Sequence, residues 1–159
     1  MTNPYAPDLG TLDPLTSLAE TPERIRALVG RMDDDAFTRS YATGKWTAAQ
    51  MLDHLAQTEM IFGLRIRMAL TMPGYVVQPF DQDKILAREG RHTGREAFDV
   101  YYQMRRWNLP LYRSLTPEER ALRFMHPERG ELKVGDLLAT LAGHELHHVA
   151  HLEAVAGRA

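Results

Sequence analysis

The stretch from Val134 to Ala156 constrains this chain more than any other part of it. It contains no proline, and its apolar residues return every three or four positions, the period of one buried helical face. Set into that face is GHELHHVAHLE, which puts His144, His147, His148 and His151 within eight positions. At about 100° per residue, with His144 as zero, His148 falls at about 40°, His151 at about -20° and His147 at about -60°. Leu137 and Val155 fall at about 20° and Leu141 at about 60°, while Glu153 lies at about 180° on the wet side. The imidazoles therefore point into a helical core or toward its mouth, and a solvated tag is a poor account of them.

Imidazoles buried without partners cost on the order of a few kcal/mol each, so something must satisfy them. Two histidines at i and i+4 project side by side and can reach one divalent ion at ~2.0 to 2.1 Å. His144 and His148 have that spacing, and so do His147 and His151. The first pair lies nearer the centre of the apolar face and is favoured, with His151 as a neighbouring group.

The rest of the chain also reads as helical. Thr21-Pro22-Glu23 resembles a cap with proline at the first helical position, and Ile25, Leu28, Val29 and Met32 follow at helical spacing, predicting a first helix that ends near Asp33 to Asp35. Thr47 predicts the start of a second helix reaching about Thr71, where Pro73-Gly74 stops it. A third is expected from about Arg95 to Ser114, kinked or broken early at Pro110, and a fourth from about Val134 to Ala156. Thr116-Pro117 opens a short turn of helix, and residues 126 to 130 read as a turn. The long connection after the second helix is expected to hide a short helix near Lys84 to Glu89. No alternating β-branched run competes, so the fold class expected is all-α, a four-helix bundle with a long crossover loop between helices two and three. Residues 1–159 are expected to form one domain, with 1–20 as an extended N-terminal arm carrying three prolines and room for one short turn of helix near Leu15 to Ala19, and 21–156 as the bundle.

Composition narrows the function. Cysteine is absent, so disulfides, zinc ribbons and thiol nucleophiles are excluded, and a metal site must use His, Asp or Glu. A formal charge of -2, from 19 basic and 21 acidic side chains, carries no broad positive field for nucleic acid. No signal-peptide pattern or membrane-length apolar run occurs, and a cytoplasmic location follows as the default expectation. A third metal ligand must come from another helix, and His54, on the face formed by Met51, Leu55 and Thr58, is the candidate. Three imidazoles leave coordination positions open for water or substrate. His92 and His126 read as surface or turn residues, and Glu59, about 140° around the helix from His54, as a core hydrogen-bond or ion-pair partner.

YATGKWTAAQMLDHLAQTEMIFGLRIRMAL, residues 41 to 70, resembles the second-helix signature of the DinB-like superfamily. GHELHHVAHL resembles its fourth-helix His-x-x-His-His signature, and PGYVVQPFDQD its proline-glycine-Phe-Asp loop. One departure is Glu59-Met60, where many relatives carry an acidic residue followed by arginine. The resemblance implies a four-helix bundle, often a homodimer, holding a divalent metal by three histidines, here His54, His144 and His148. It also implies kinship with bacillithiol transferases and with mycothiol-dependent maleylpyruvate isomerase.

The expected function is a divalent-metal-dependent enzyme, with Zn or Ni at the centre, acting on a small molecule. It is a transferase using a low-molecular-weight thiol of the bacillithiol, mycothiol or glutathione type as co-substrate, or a metal-dependent hydrolase. The ion would lower the pKa of a bound thiol or water. A noncatalytic metal-binding stress-response protein acting through a dimer is the alternative. Asp81 is expected either to gate the site from the crossover loop or to cap the helix that follows it. One of Arg65 and Arg67 near the pocket would suit an anionic cofactor.

Overall fold

The computed structural model describes residues 3–89 and 91–157. The elements in chain order are α1 (Ala6–Leu9), α2 (Pro14–Val29), α3 (Asp34–Thr38), α4 (Ala48–Thr71), α5 (Gln82–Glu89), α6 (Gly94–Ser114), α7 (Pro117–Ala121), β1 (Arg123–His126), β2 (Gly130–Lys133) and α8 (Val134–Ala156). The four long helices form the bundle. α4 packs against α6 and α8, and α2 against α8 and α6, leaving α2 and α4 on one diagonal.

Reciprocal capping sets several helix starts. The Thr47 hydroxyl accepts the Gln50 N–H while the Gln50 side chain accepts the Thr47 N–H, and Thr93/Glu96 and Thr116/Glu119 repeat the arrangement. α4, α6 and α8 accordingly lie within one residue of their sequence expectations, and α5 fills the crossover as anticipated.

The N-terminus departs from expectation. In place of an extended arm, α1 forms, and α2 begins at Pro14 with the Asp13 carboxylate accepting the Thr16 N–H at 2.8 Å. Thr21 is not a cap but a buried mid-helix residue whose hydroxyl donates to Ser17 O at 2.7 Å. Pro22 lies inside the helix, where its missing N–H leaves the Leu18 carbonyl without its helical donor. Arg105 Nη1, from α6, donates to that carbonyl at 2.8 Å and makes the interruption tolerable.

Pro110 does not break α6, which runs on to Ser114. The turn read at residues 126 to 130 is present and joins two short strands that were not anticipated, β1 and β2, an antiparallel hairpin with Phe124 opposite Leu132 and both buried. Each strand has only four residues and no β-branched run, too short a pattern to register as alternation.

The apolar core has two parts. One contains Ala48, Met51, Leu52, Leu55 and Ala56 of α4 with Val149, Leu152 and Val155 of α8. The other contains Phe62, Ile66 and Ala69 of α4 with Leu137, Leu138, Leu141 and Ala142 of α8. Buried polar residues lie at the levels between them: Gln57, Thr58 and Glu59 on α4, Arg105 and Asn108 on α6, and His144, Glu145 and His148 on α8. Arg105, only 1% exposed, donates to both Glu59 and Glu145, and Glu59 also accepts from Asn108 Nδ2 at 2.8 Å and Tyr112 Oη at 3.3 Å. The expectation for Glu59 as a core partner holds, and Met60, the departing residue beside it, is exposed. This layer places the histidines opposite one another in the middle of the bundle.

Candidate metal centre

α4 and α8 present His54, His144 and His148 to one another, as the helical spacing predicts. His54 Nε2 and His144 Nε2 are 2.8 Å apart, and His148 Nε2 is 3.1 Å from His144 Nε2. One ligand atom from each ring lies within 4.8 Å of the others. Nitrogens bound tetrahedrally to one ion at ~2.0 to 2.1 Å stand roughly 3.3 Å apart, so His54 and His148 each need to move only a few tenths of an ångström from His144 to reach that spacing.

Burial keeps all three rings neutral. It lowers His54 to about 4, and pushes His144 and His148 well below the usual imidazole range, with the neighbouring histidines adding to the effect on both. Neutral imidazole is the ligand form, and three nitrogen lone pairs converging at these distances repel unless a proton or cation lies among them. The Nδ1 atoms of all three are buried without hydrogen-bond partners, so packing orients the rings. Trp46 lies 4.8 Å from the His54 ring and stacks toward His148, and Tyr5 meets His144 edge-on at 5.0 Å.

The other two histidines of the cluster lie at the mouth. His151 stacks on Tyr41 at 3.9 Å with its plane nearly parallel, and His147 Nδ1 is 3.3 Å from Asp8 Oδ1. Both line a cavity of about 320 Å³ with His148, Trp46, Tyr41 and Gln82. A second cavity, about 150 Å³, lies against His54 and His144, and Gln82 lines it too. The triad is thus reached from two cavities, one at His148 and one at His54 and His144.

Asp81 takes the capping role. Its carboxylate accepts the Lys84 N–H at 3.0 Å and pairs with Lys84 Nζ, holding its pKa below the usual range, while its neighbours Phe80, Gln82 and Asp83 line the cavities. His92 is tied to Asp53, with Nδ1 2.9 Å from Oδ1, and His126 is buried with its Nδ1 accepting the Glu128 N–H. Arg65 reaches the smaller cavity, whereas Arg67 turns away to Gly63 O and Asn108 Oδ1. Tyr5, Trp46, Thr58, Gln82 and Arg129 are the site residues that sequence reading did not single out. Thr58, four residues after His54 on the same face, was within its reach; Tyr5, distant in the chain, left no signal.

The DinB superfamily profile matches residues 17–152. The chain belongs to the DinB superfamily. Among its DinB relatives, a protein of Oceanobacillus iheyensis named as a candidate metal-dependent hydrolase is 28% identical over 151 residues, covering 91% of this chain and 84% of the relative. A Bacillus mycoides protein with the same kind of name is 26% identical over 149 residues, with the same coverage. Bacillus subtilis YfiT, described as a candidate metal-dependent hydrolase with an unusual four-helix bundle topology, superposes with a TM-score of 0.83 at 23% identity over 91% of this chain and 85% of its own. A mycothiol-dependent maleylpyruvate isomerase superposes with a TM-score of 0.69 at 17% identity, over 96% of this chain but 63% of the isomerase. Both superpositions establish the shared DinB-type bundle. No helix among the described residues is long and apolar enough to cross a membrane.

The neutral rings make the metal-free protein sensitive to acid. An unfolded histidine takes up a proton near 6.5, whereas His54 in the fold resists until about 4, so this stabilisation is present above 6.5 and is lost as pH falls toward 4. Glu145, pushed up to about 7 by burial, has the opposite slope, and three histidines outweigh it. Chelator-treated protein should lose on the order of a few kcal/mol between pH 7 and pH 4.5, read as a falling melting temperature. A flat profile would mean that the rings are not held neutral.

Proposed function

We propose that this protein is a divalent-metal-dependent enzyme in which His54, His144 and His148 hold the ion and a low-molecular-weight thiol is one of two substrates. The convergence of three neutral Nε2 atoms supports the metal. The observation that favours transfer is the pair of cavities that meet different members of the triad, one at His148 and the other at His54 and His144, because a two-substrate reaction needs two berths and hydrolysis needs one berth and a water. When bound, the ion lowers the pKa of a coordinated thiol or water and makes it a nucleophile near neutral pH. Trp46 and Tyr5 fix the ring planes, and the larger cavity gives the thiol an aromatic wall of Tyr41 and Trp46.

The second reading is a metal-dependent hydrolase, favoured by the names of the relatives. Cobalt-loaded protein separates the two. Titration with cysteine or glutathione should produce a sulfur-to-metal charge-transfer band, and conjugation of the thiol to 1-chloro-2,4-dinitrobenzene should depend on the metal. Ester or amide cleavage that proceeds without any thiol, with no such band, favours the hydrolase instead. Neither activity at full metal occupancy returns the protein to a noncatalytic role.

A further inference from the structure

We propose that the smaller cavity is an oxyanion subsite, in which Arg65 and Arg129 hold a carboxylate or phosphate of the molecule that meets the metal centre. The inference rests on the metal-centre reading and specifies the chemistry of one of its substrates. Arg65 follows His54, Thr58 and Phe62 along one face of α4, and Arg129 arrives from the turn between β1 and β2. Both line the same chamber as His54 and His144, so a ligand seated on the arginines lies beside these two members of the triad.

Arg65 is 6% exposed, and Nη2 donates to Gln78 O at 2.6 Å with the guanidinium over the Phe80 ring at 5.2 Å. Only part of its five-donor fork is used. Among the described residues, no carboxylate lies within ion-pair distance of Arg65 or Arg129. Burial pushes the Arg65 pKa down, and repulsion from Arg129 adds to this; Glu128, exposed in the same turn, opposes it only from outside the chamber. Two cations thus share a small chamber with no acidic lining residue, an arrangement that an incoming anion relieves. At ~30 Å³ per water the chamber holds about five waters, room for a carboxylate with two or three carbons or for one phosphate group.

The test uses full-length protein stripped of metal by chelation, with acetate, inorganic phosphate and acetamide as probes and the arginine Nε–H resonances as readout. Acetate and phosphate should shift Arg65, whereas acetamide, which matches acetate in shape but lacks charge, should not. Arg129→Met should weaken anion binding by roughly tenfold or more, since it removes a charge-assisted pair. Arg129→Lys, which keeps the charge but not the planar fork, should fall between Met and the native residue. The tighter anion distinguishes an organic acid from a phosphate ester, and either sustains the subsite. Equal shifts with acetamide, or anion binding unchanged in both Arg129 variants, overturn it. His148→Ala, which alters the triad but not the wall of this chamber, should keep the anion site whether or not the variant binds metal, so failure of the metal reading and failure of the subsite give different results.

Discussion

Replacing Arg105 by methionine should destabilise the protein by about 3 to 5 kcal/mol, since removing one partner of a buried ion pair leaves uncompensated charge in the core. Here two carboxylates are stranded, Glu59 and Glu145, each essentially without solvent contact. The Leu18 carbonyl also loses its donor, and Pro22 cannot supply another. For a chain of this length the loss lowers the melting temperature by roughly 6 to 20 °C and consumes a large share of a typical folding free energy of ~5 to 15 kcal/mol. Exchanging all three charged residues for apolar ones of similar volume, Glu59→Leu, Arg105→Met and Glu145→Met, should recover part of that loss, because the desolvated charges are then gone. Recovery stays incomplete because the Tyr112 hydroxyl loses its partner, the Leu18 carbonyl loses its donor and Asn108 Nδ2 is left with only the 3.4 Å contact to the residue 59 carbonyl. Urea melts of the single and triple variants check both statements. A single variant within 1 kcal/mol of the native protein would show that the layer is not closed to water.

His54→Ala should abolish stoichiometric metal binding, with affinity at least a hundredfold weaker, since even the loss of a group that merely orients a ligand costs ~10- to 100-fold. Elemental analysis after dialysis reads the stoichiometry. Saturating metal at ~100 Kd adds about 2.7 kcal/mol of stability to the native protein, an upshift of roughly 5 to 10 °C that the variant should lack. In the metal-free state the same substitution should matter much less, because the packing it removes is offset by deleting a buried Nδ1 that has no partner. His151→Ala should leave occupancy unchanged, since that ring lies against Tyr41 at the mouth. Full occupancy in His54→Ala, coupled with loss in His151→Ala, would falsify the assignment of the triad.

The bundle and the triad were legible because both follow from helical period. A repeat near 3.6 residues identified the long helices, and the same arithmetic put His144 and His148 on the buried face with His147 at its edge. What escaped depends on distance in the chain. Arg105 lies on the stripe Phe98, Tyr101, Arg105, Asn108, Tyr112, whose spacing marks a buried face, yet nothing in α6 alone reveals the carboxylates that receive it from α4 and α8. Thr21-Pro22 misled for a related reason: a proline within a helix is tolerable only when another element supplies the missing donor, and here the donor comes from α6. Tyr5 and Arg129 reach the site from a segment beyond helical reach of it and from a hairpin too short to announce itself.

Residues 51 to 59 of α4 are buried without interruption, and His54 lies in the middle of that run. The outer parts of the two cavity walls come from exposed or half-exposed positions, among them Tyr5, Tyr41, Lys45, Gln82, Asp83 and Arg129. Heritable change therefore falls unevenly on the molecule. The turn that carries His54 has little substitution open to it, while the surrounding loops accept replacement at small cost to stability. A lineage built on this scaffold can change what it recognises many times over while the chemistry at its centre stays the same.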